Sequence, residues 1–148
     1  MTVHFICRGN AFRSLIAEAY LKSLNLPGLI VTSSGTVSDE YFVANRPSLK
    51  STLALLEQHG IANYAKHQSE QLTQQRVDNQ DVTVCMNQVV VDEASAIVSL
   101  PKNTVDWQIT DIGEGSRIVV NGNRQMYEEE IYQEIVKRVN DLVAGYRH

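Results

Sequence analysis

The 148-residue chain is poor in cysteine, proline and tryptophan, with two, three and one of them respectively. Two cysteines are too few for a disulfide-rich scaffold or a four-thiolate zinc site. No apolar run is long enough to span a bilayer. The opening residues MTVHFICRGN also lack the basic start and long apolar stretch of a signal peptide. These absences predict a cytoplasmic protein without a membrane segment, in which a cysteine stays reduced.

The chain also lacks an excess of basic residues, because its formal net charge is −4. A protein with this balance has no general electrostatic surface for nucleic acid, although a local basic pocket is compatible with it. The hydrophobic fraction of 43% and the charged fraction of 20% are typical of a soluble globular protein. No repeat or linker divides the sequence. We therefore expect residues 1–148 to form one domain, and a monomer is the default expectation.

The hydrophobic pattern predicts an α/β fold. Short apolar runs alternate with longer helix-periodic segments, which is typical of βαβ units and a mainly parallel sheet. The predicted strands are residues 3–6, 29–32, 81–86 and 104–109. Predicted helices begin near Ser14, Pro47 and Asn87, and Ser69 is expected to cap a short helix that ends at Arg76. A last helix presents Ile131, Ile135, Leu142 and Tyr146 on one face, and residues 36–46 read as a surface loop.

The most informative segment is Cys7-Arg8-Gly9-Asn10-Ala11-Phe12-Arg13-Ser14, which lies between the first predicted strand and the first predicted helix. Five residues between Cys7 and Arg13 can curl so that their backbone N–H groups point at one oxyanion, and the helix N-terminus adds a positive field. Gly9 and Asn10 tolerate the backbone angles that such a loop needs. Arg13 can clamp two phosphate oxygens. The same field favours the thiolate form of Cys7, so the segment predicts a phosphate-binding loop that contains a nucleophile.

The pattern C-x-G-N-x-x-R-S, formed by Cys7, Gly9, Asn10, Arg13 and Ser14, resembles the opening motif of the low-molecular-weight protein tyrosine phosphatase family, to which some arsenate reductases are related. Later segments resemble the family in the same order, and this similarity extends over nearly the whole chain. These segments are residues 34–39, 59–61, 67–73 and 85–87 and the aspartate Asp111. The resemblance implies a three-layer α/β sandwich, with a four-stranded parallel sheet flanked by helices and the phosphate-binding loop after the first strand.

The resemblance also implies a mechanism. Cys7 would attack phosphorus to form a phosphocysteine, while Arg13 and the loop amides hold the phosphoryl oxygens. Asp111 would protonate the leaving oxygen and then activate water. The implied substrate is a phosphorylated protein that carries phosphotyrosine, or a small phosphomonoester, with inorganic phosphate as product. No metal or cofactor is needed for these steps.

Other residues receive supporting roles from the resemblance. Arg8, Gly9, Asn10, Ala11, Phe12 and Ser14 would complete the phosphate-binding loop. Ser14 would donate a hydrogen bond to the Cys7 thiolate or simply cap the first helix. Asn10, Ser34 and His67 would form a hydrogen-bond network that holds the loop open. Arg8 would extend the positive field or be solvated, and Tyr41 or Phe42 would form a wall for the substrate.

The sequence departs from the family pattern at three places. Leu15 stands where proline usually follows the Arg-Ser pair. Ile112 and Gly113 follow Asp111, where the family has proline and often aromatic residues. The second loop cysteine of many members is absent, since Ala11 and Phe12 occupy that region. Loss of the aromatics weakens the expectation of phosphotyrosine against phosphoarginine or a small phosphate ester.

Two alternative functions remain open at the sequence level. An arsenate reductase would use the same anion loop, but Cys85 is the only other cysteine and is predicted to lie in the core. Such a reductase would therefore need an external thiol. A non-catalytic phosphate- or phosphoprotein-binding module is the second alternative, although simple binding does not require Cys7.

Overall fold

Four strands form one sheet in which all neighbouring strands are parallel, in the spatial order β2-β1-β3-β4. The computed structural model describes residues 1–146. The strands are β1 (Thr2–Cys7), β2 (Ile30–Gly35), β3 (Val82–Cys85) and β4 (Thr104–Asp106). The helices are α1 (Arg13–Ser23), α2 (Arg46–Gln58), α3 (Gln74–Val77), α4 (Gln88–Ile97) and α5 (Arg124–Tyr146), with a 3-10 turn at Ala62–Tyr64.

Helices cover both faces of the sheet, which confirms the predicted three-layer α/β sandwich. Alternate residues of β1 point to opposite faces, as in any strand. Val3 and Phe5 lie in one buried cluster with residues of α1 and α5, whereas Ile6 lies in a second cluster with residues of α3 and α4. Because β1 lies inside the sheet and is buried on both faces, it reads as an apolar run without simple alternation.

Several predicted element boundaries are wrong. β4 ends at Asp106 and not at Ile109, because Gln108 has φ 56° and turns the chain out of the strand. Ser69 does not cap a helix, since the short helix α3 begins only at Gln74. In α5 the buried face contains Ile131 and Ile135 as predicted, but Tyr146 is 46% exposed. The remaining buried apolar positions of this helix are Tyr132, Val139 and Val143.

A fully buried histidine lies on the α3–α4 face of the sheet, between two hydroxyls of β2. Nδ1 of His4 lies 2.6 Å from Oγ1 of Thr32, and its Nε2 lies 2.8 Å from Oγ of Ser34. Burial, followed by the positive charges of Lys66 and Arg76, lowers the pKa of His4 from 6.5 to about 3. His4 is therefore neutral in the folded protein at neutral pH.

We expect His4 to make the protein less stable in acid. Between about pH 6.5 and pH 3 the unfolded chain protonates this histidine and the folded chain does not, so the free energy of unfolding rises with pH. The contribution is up to roughly 1.4 kcal/mol per pH unit in this window. Urea titrations from pH 7 to pH 4 measure it, with His4→Gln as the variant that removes the contribution. An equally steep loss of stability in His4→Gln would contradict the prediction.

The long segment before α2 is a run of turns with two helix-like hydrogen bonds, from the N–H groups of Tyr41 and Asn45 to the carbonyls of Val37 and Tyr41.

In the part of the chain that the structure describes, no helix is both long and apolar enough to cross a membrane.

Candidate active site

The loop between β1 and α1 is held open from outside through its carbonyl groups. Every carbonyl from Cys7 to Phe12 accepts a hydrogen bond. The donors to the first five are the N–H groups of Thr36 and Val37 and the hydroxyls of Ser38, Ser69 and Thr52. The carbonyl of Phe12 receives the N–H of Ile16 within the helix. Because the carbonyls bond to the surrounding protein, the amides are left on the inner side of the loop.

The inner side of this loop is a cradle of backbone donors. Among residues 1–146, the N–H groups of Gly9, Ala11 and Phe12 make no hydrogen bond, and all three residues line the same pocket. Asn10 has φ 53°, which turns the chain between them. β2 approaches closely behind the loop at Gly35, where a Cβ atom would lie 2.5 Å from the carbonyl oxygen of Arg8. Successive inward amides of this kind bind anions the size of phosphate.

The sulfur of Cys7 lies at the base of this cradle. Its residue is only 3% exposed, and the sulfur receives the N–H of Asn10 at 3.2 Å. The hydroxyl of Ser14 lies 2.9 Å from the sulfur and accepts a hydrogen bond from Nδ2 of Asn10 at 2.8 Å. That geometry leaves the hydroxyl proton free to point at the sulfur and to stabilise a thiolate. Ser14 lies inside the first turn of α1, which begins at Arg13, and so it is not the cap of this helix.

Arg13 connects the loop to Asp111. Its side chain is 2% exposed. Nη1 donates to the carbonyl of Ile109 at 3.0 Å, and Nη2 lies 3.3 Å from Oδ2 of Asp111. The guanidinium is therefore fixed in orientation before any anion binds. The ion pair also brings a carboxyl group to the mouth of the pocket that contains Cys7.

The segment that carries Asp111 is fastened by residues that the sequence analysis missed. The N–H of Asp111 donates to Oε1 of Glu114 at 3.2 Å, and Nδ2 of Asn87 donates to the same oxygen at 3.3 Å. Arg117 is buried; its Nη1 donates to the carbonyl of Thr110, and its Nη2 pairs with Glu134 of α5. Nothing in the local sequence indicates which side chains hold this segment, because Asn87 and Glu134 are distant from it in the chain.

The phosphate-binding loop and the carboxyl group of Asp111 line one pocket of about 280 Å³. The structure brings Cys7, Arg13 and Asp111 together at this pocket, as the resemblance implied. Tyr41 is also part of its lining, but Phe42 is not. Phe42 lines a separate cavity, and its ring lies 5.7 Å from the guanidinium of Arg46. Of the two aromatic residues considered for a wall, the structure thus brings Tyr41 and not Phe42 to this pocket. The other lining residues are Arg8, Gly9, Ala11, Phe12, Val37, Asn45, Ser48, Ile112 and Arg124.

A closed network of polar side chains holds Asn10 at both ends of its amide. Nδ2 of Asn10 donates to Oγ of Ser33 at 2.9 Å, and Ser33 donates to the carboxylate of Glu18. Nζ of Lys66 lies 3.7 Å from Oε1 of Glu18 and 3.3 Å from Oε1 of Glu70. The N–H of Glu70 closes the network by donating to Oδ1 of Asn10 at 2.9 Å. We call these five residues the Asn10 network.

Two predicted members of this network are placed differently. His67 is exposed and, within residues 1–146, makes no hydrogen bond to the loop. Ser34 is buried, but its hydroxyl contacts His4 and not Asn10. Ser33 and Lys66 take the positions that were expected of Ser34 and His67. The error arose because neighbouring polar residues of a strand point to opposite faces, and the sequence did not indicate which of them meets Asn10.

Lys66 is the cation at the centre of the Asn10 network, and its replacement should slow catalysis. Burial lowers the pKa of Lys66, against the opposing effect of the Glu18 and Glu70 carboxylates. In Lys66→Met two carboxylates lose their shared cation, and we expect Asn10 to move from its left-handed conformation. A displacement of the loop by a fraction of an ångström should reduce kcat by roughly tenfold.

The measurement is steady-state hydrolysis of an aryl phosphate at a temperature well below the melting temperature of the variant. Lys66→Arg should restore part of the lost activity. Lys137→Met is the matched control, because Lys137 is 77% exposed and pairs only with Asp141 among the described residues. An unchanged kcat in Lys66→Met would contradict a positioning role for Lys66.

Arg8 lines the pocket but is paired with a carboxylate, and Cys85 does not line the pocket. Nε of Arg8 donates to both carboxylate oxygens of Glu93, at 3.0 and 3.1 Å, and this hydrogen bond raises the pKa of Arg8 above its usual value. Its charge is thus largely neutralised. Cys85 is fully buried in the cluster on the α3–α4 face, and burial raises its pKa to about 12.

Metal-binding side chains are not clustered in the described part of the chain, where no group of three or more His, Cys, Asp or Glu residues could hold an ion. The donors that surround the pocket are cations and amides, which suit an anionic ligand.

Comparison with models of known protein families gives a match over nearly the whole chain. The family model described as "Low molecular weight phosphotyrosine protein phosphatase" matches residues 2–145. The chain belongs to this family. The match begins before Cys7 and continues through most of α5, so it includes every residue of the pocket described above. A comparison with curated protein sequences finds no match.

Solved structures with the same fold include low-molecular-weight phosphatases and a related reductase. Wzb of Vibrio vulnificus, in complex with benzylphosphonate, is 19% identical with a TM-score of 0.77, and the match covers 97% of each chain. The arginine phosphatase of Drosophila is 22% identical with a TM-score of 0.66, and the match covers 100% of this chain and 99% of that one. A thioredoxin-dependent arsenate reductase of Corynebacterium glutamicum is 24% identical with a TM-score of 0.68 and matches 99% of this chain but 61% of its own.

Proposed function

We propose that the protein is a cysteine-dependent phosphatase that hydrolyses phosphomonoesters through a phosphocysteine intermediate. The observation that carries this proposal is the loop that begins at Cys7. Its carbonyls from Cys7 to Ala11 accept hydrogen bonds from outside the loop, while the unpaired amides of Gly9, Ala11 and Phe12 line the same pocket as the sulfur. A binding module has no need of a sulfur at the base of an anion cradle that receives the N–H of Asn10 and lies 2.9 Å from the hydroxyl of Ser14. We further propose that it acts in the cytoplasm as a monomer, without a metal or cofactor.

The first step transfers the phosphoryl group to sulfur. The Cys7 thiolate attacks phosphorus while the inward amides and Arg13 bind the three non-bridging oxygens. The bond from phosphorus to the ester oxygen breaks, and Asp111, in its protonated form, gives its proton to that oxygen. The leaving alcohol departs neutral, and Asp111 is left as a carboxylate near Arg13.

The second step releases phosphate. Asp111 as carboxylate takes a proton from a water molecule, and the water oxygen attacks phosphorus. The sulfur–phosphorus bond breaks, the thiolate returns to its hydrogen bonds with Ser14 and Asn10, and inorganic phosphate leaves. The enzyme ends the cycle with Asp111 protonated, as it began.

We propose phosphotyrosine in a protein as the preferred substrate. Phe12, Tyr41 and Ile112 line the pocket together with Cys7, and they offer apolar surface to an aryl group above the phosphate. This wall differs from the aromatic residues that family members often carry after the general-acid aspartate, because Ile112 and Gly113 follow Asp111 here. Arginine phosphatases share the fold, so phosphoarginine is the competing phosphoryl substrate that the test must include.

Arsenate reduction would require a different supply of thiols. The chain has only two cysteines, and Cys85 is fully buried with a raised pKa, so a relay of thiols within the chain is unfavourable. A reductase of this fold would depend on an external thiol such as thioredoxin or glutathione.

One panel of assays separates these functions. Purified protein is given p-nitrophenyl phosphate, a phosphotyrosine peptide, a phosphoarginine peptide, and arsenate with an added thiol. We expect turnover of p-nitrophenyl phosphate and a higher kcat/KM for phosphotyrosine than for phosphoarginine. Preference for phosphoarginine would overturn the substrate class alone. Arsenate-dependent oxidation of the thiol without phosphatase turnover would overturn the proposed reaction.

A further inference from the structure

One wall of the active-site pocket carries polar groups that the proposed reaction does not use. The side chains of Asn45 and Ser48, at the start of α2, and of Arg124, at the start of α5, line the pocket beside the phosphate-binding loop. Among the described residues, the Asn45 amide and the Ser48 hydroxyl make no side-chain hydrogen bond, and Asn45 does not cap its own helix. The chain thus places three polar side chains at the pocket with free hydrogen-bonding capacity.

The position of Asn45 shows how close this wall lies to the phosphate-binding loop. A Cβ atom added to Gly9 would lie 2.6 Å from Nδ2 of Asn45, so the amide of Asn45 packs directly on the phosphate-binding loop. A group bound by Asn45 is therefore next to the phosphoryl group, and not on a remote surface.

The three cations that line the pocket differ in how far they are neutralised. Arg8 donates two hydrogen bonds to Glu93, and Arg13 is held by the carbonyl of Ile109 and by Asp111. Arg124 has a single ionic contact among residues 1–146, at 3.5 Å, and its side chain is 50% exposed. It is the pocket cation with the most unused donors.

The guanidinium of Arg124 is nevertheless held in place through its Nε atom. Its contact is Oε1 of Glu128, one turn along α5, and Glu128 is only 7% exposed. The hydroxyl of Ser51 in α2 donates to the carboxylate of Glu128 at 3.0 Å. This contact ties the first turn of α5 to α2, so that Arg124 stays at the pocket and does not extend freely into solvent.

We propose that Arg124, with Asn45 and Ser48, binds a carboxylate of the substrate beside the scissile phosphate. The preferred substrate is then a phosphorylated protein with an acidic residue next to the phosphorylated one. A guanidinium with free donors, an amide and a hydroxyl together match the acceptors of a carboxylate. This inference rests on the proposed phosphatase function and adds the sequence preference of the same site.

A pair of matched peptides tests the inference. One phosphotyrosine peptide carries glutamate on both sides of the phosphotyrosine, and the other carries glutamine at these positions. We expect wild-type protein to have a kcat/KM about threefold to fivefold higher for the glutamate peptide, which is typical of a partly exposed ion pair. The preference should fall as salt is added, because an exposed pair is screened.

Variants of Arg124 test whether this side chain causes the preference for the glutamate peptide. In Arg124→Gln the ratio of the two kcat/KM values should fall to near one, and in Arg124→Glu the glutamine peptide should become the better substrate. Arg124→Lys should keep part of the preference. Arg138→Gln, which removes an exposed arginine from the far part of α5, should keep both the ratio and the rate with p-nitrophenyl phosphate.

The ratio is an internal measure, so a uniform loss of activity from partial unfolding does not change it. A wild-type ratio of one, or a ratio that persists in Arg124→Gln, would overturn the inference while leaving the phosphatase function intact. Lack of p-nitrophenyl phosphate turnover by the wild-type protein would instead overturn the proposed function, and the inference with it.

Discussion

Replacement of Cys7 by serine is expected to lower turnover of p-nitrophenyl phosphate by on the order of 10⁴-fold or more, as loss of a catalytic nucleophile does elsewhere. The contacts of the Cys7 sulfur are the Ser14 hydroxyl and the Asn10 N–H, and neither of them is a base. A serine hydroxyl at this position would keep its proton at neutral pH, whereas a thiol needs only modest stabilisation to ionise.

Binding of inorganic phosphate should survive this substitution. The donors for phosphate are the inward amides of Gly9, Ala11 and Phe12 and the guanidinium of Arg13, none of which changes. Calorimetric titration of phosphate into Cys7→Ser measures this binding, and steady-state kinetics measures the loss of turnover.

Cys85→Ala is the matched control, because the second cysteine is fully buried on the other side of the sheet. It should retain phosphatase turnover, with a lower melting temperature as the main effect. Wild-type turnover in Cys7→Ser would refute the phosphocysteine mechanism. Loss of turnover in Cys85→Ala at temperatures where it is folded would show that the second thiol takes part.

Replacement of Asp111 by asparagine should lower kcat for phenyl phosphate by roughly 10² to 10⁴-fold, the range expected for removal of a general acid. Asparagine has the same shape and keeps an oxygen for Arg13, so the 3.3 Å contact to the guanidinium can persist. What it cannot do is give a proton to the leaving oxygen. The effect should be smaller for p-nitrophenyl phosphate, since the nitrophenolate ion leaves without a proton.

A series of aryl phosphates with increasingly basic leaving groups makes this test specific. In wild type the rate should depend weakly on the leaving group, and in Asp111→Asn it should depend steeply. Asp141→Asn is the control, because Asp141 is exposed on α5 and pairs with Lys137. The same fractional loss for every leaving group would assign Asp111 a role in the position of Arg13 and not in proton transfer.

The fold could be predicted because its signals are local. The spacing of hydrophobic residues within 10 to 20 positions predicts a strand or a helix, as it does for β1 and α1 and for the helix that follows Asn87. Asn87 is the N-cap of α4, as its position in the sequence predicts, and its side chain accepts the N–H of Val90. The end of β4 was not predictable in this way, because Trp107 and Ile109 are buried although they lie beyond the strand.

In the candidate site, too, the local features were predictable from the sequence and the contacts between distant residues were not. Cys7, Arg13 and the residues between them lie within one loop, so spacing alone indicates an anion cradle with a nucleophile. Lys66 reaches Asn10 only through Glu70 and through Ser33 and Glu18, and the last two are far from Lys66 in the sequence. The role expected of His67 failed for the same reason, because no residue near it in the sequence indicates which side of its turn faces the loop.

Scarcity of cysteine already decided two questions from the sequence alone: no disulfide scaffold is available, and Cys7 has only one other thiol in its chain. The sequence by itself also determined the order of strands and helices and the presence of the loop, since both depend on neighbouring residues. Only the tertiary structure decided that Ser33 and not Ser34 meets Asn10, that Lys66 supports the loop, and that Arg124 reaches the pocket. These contacts join residues far apart in the chain, and their pairing depends on how the helices pack on the sheet.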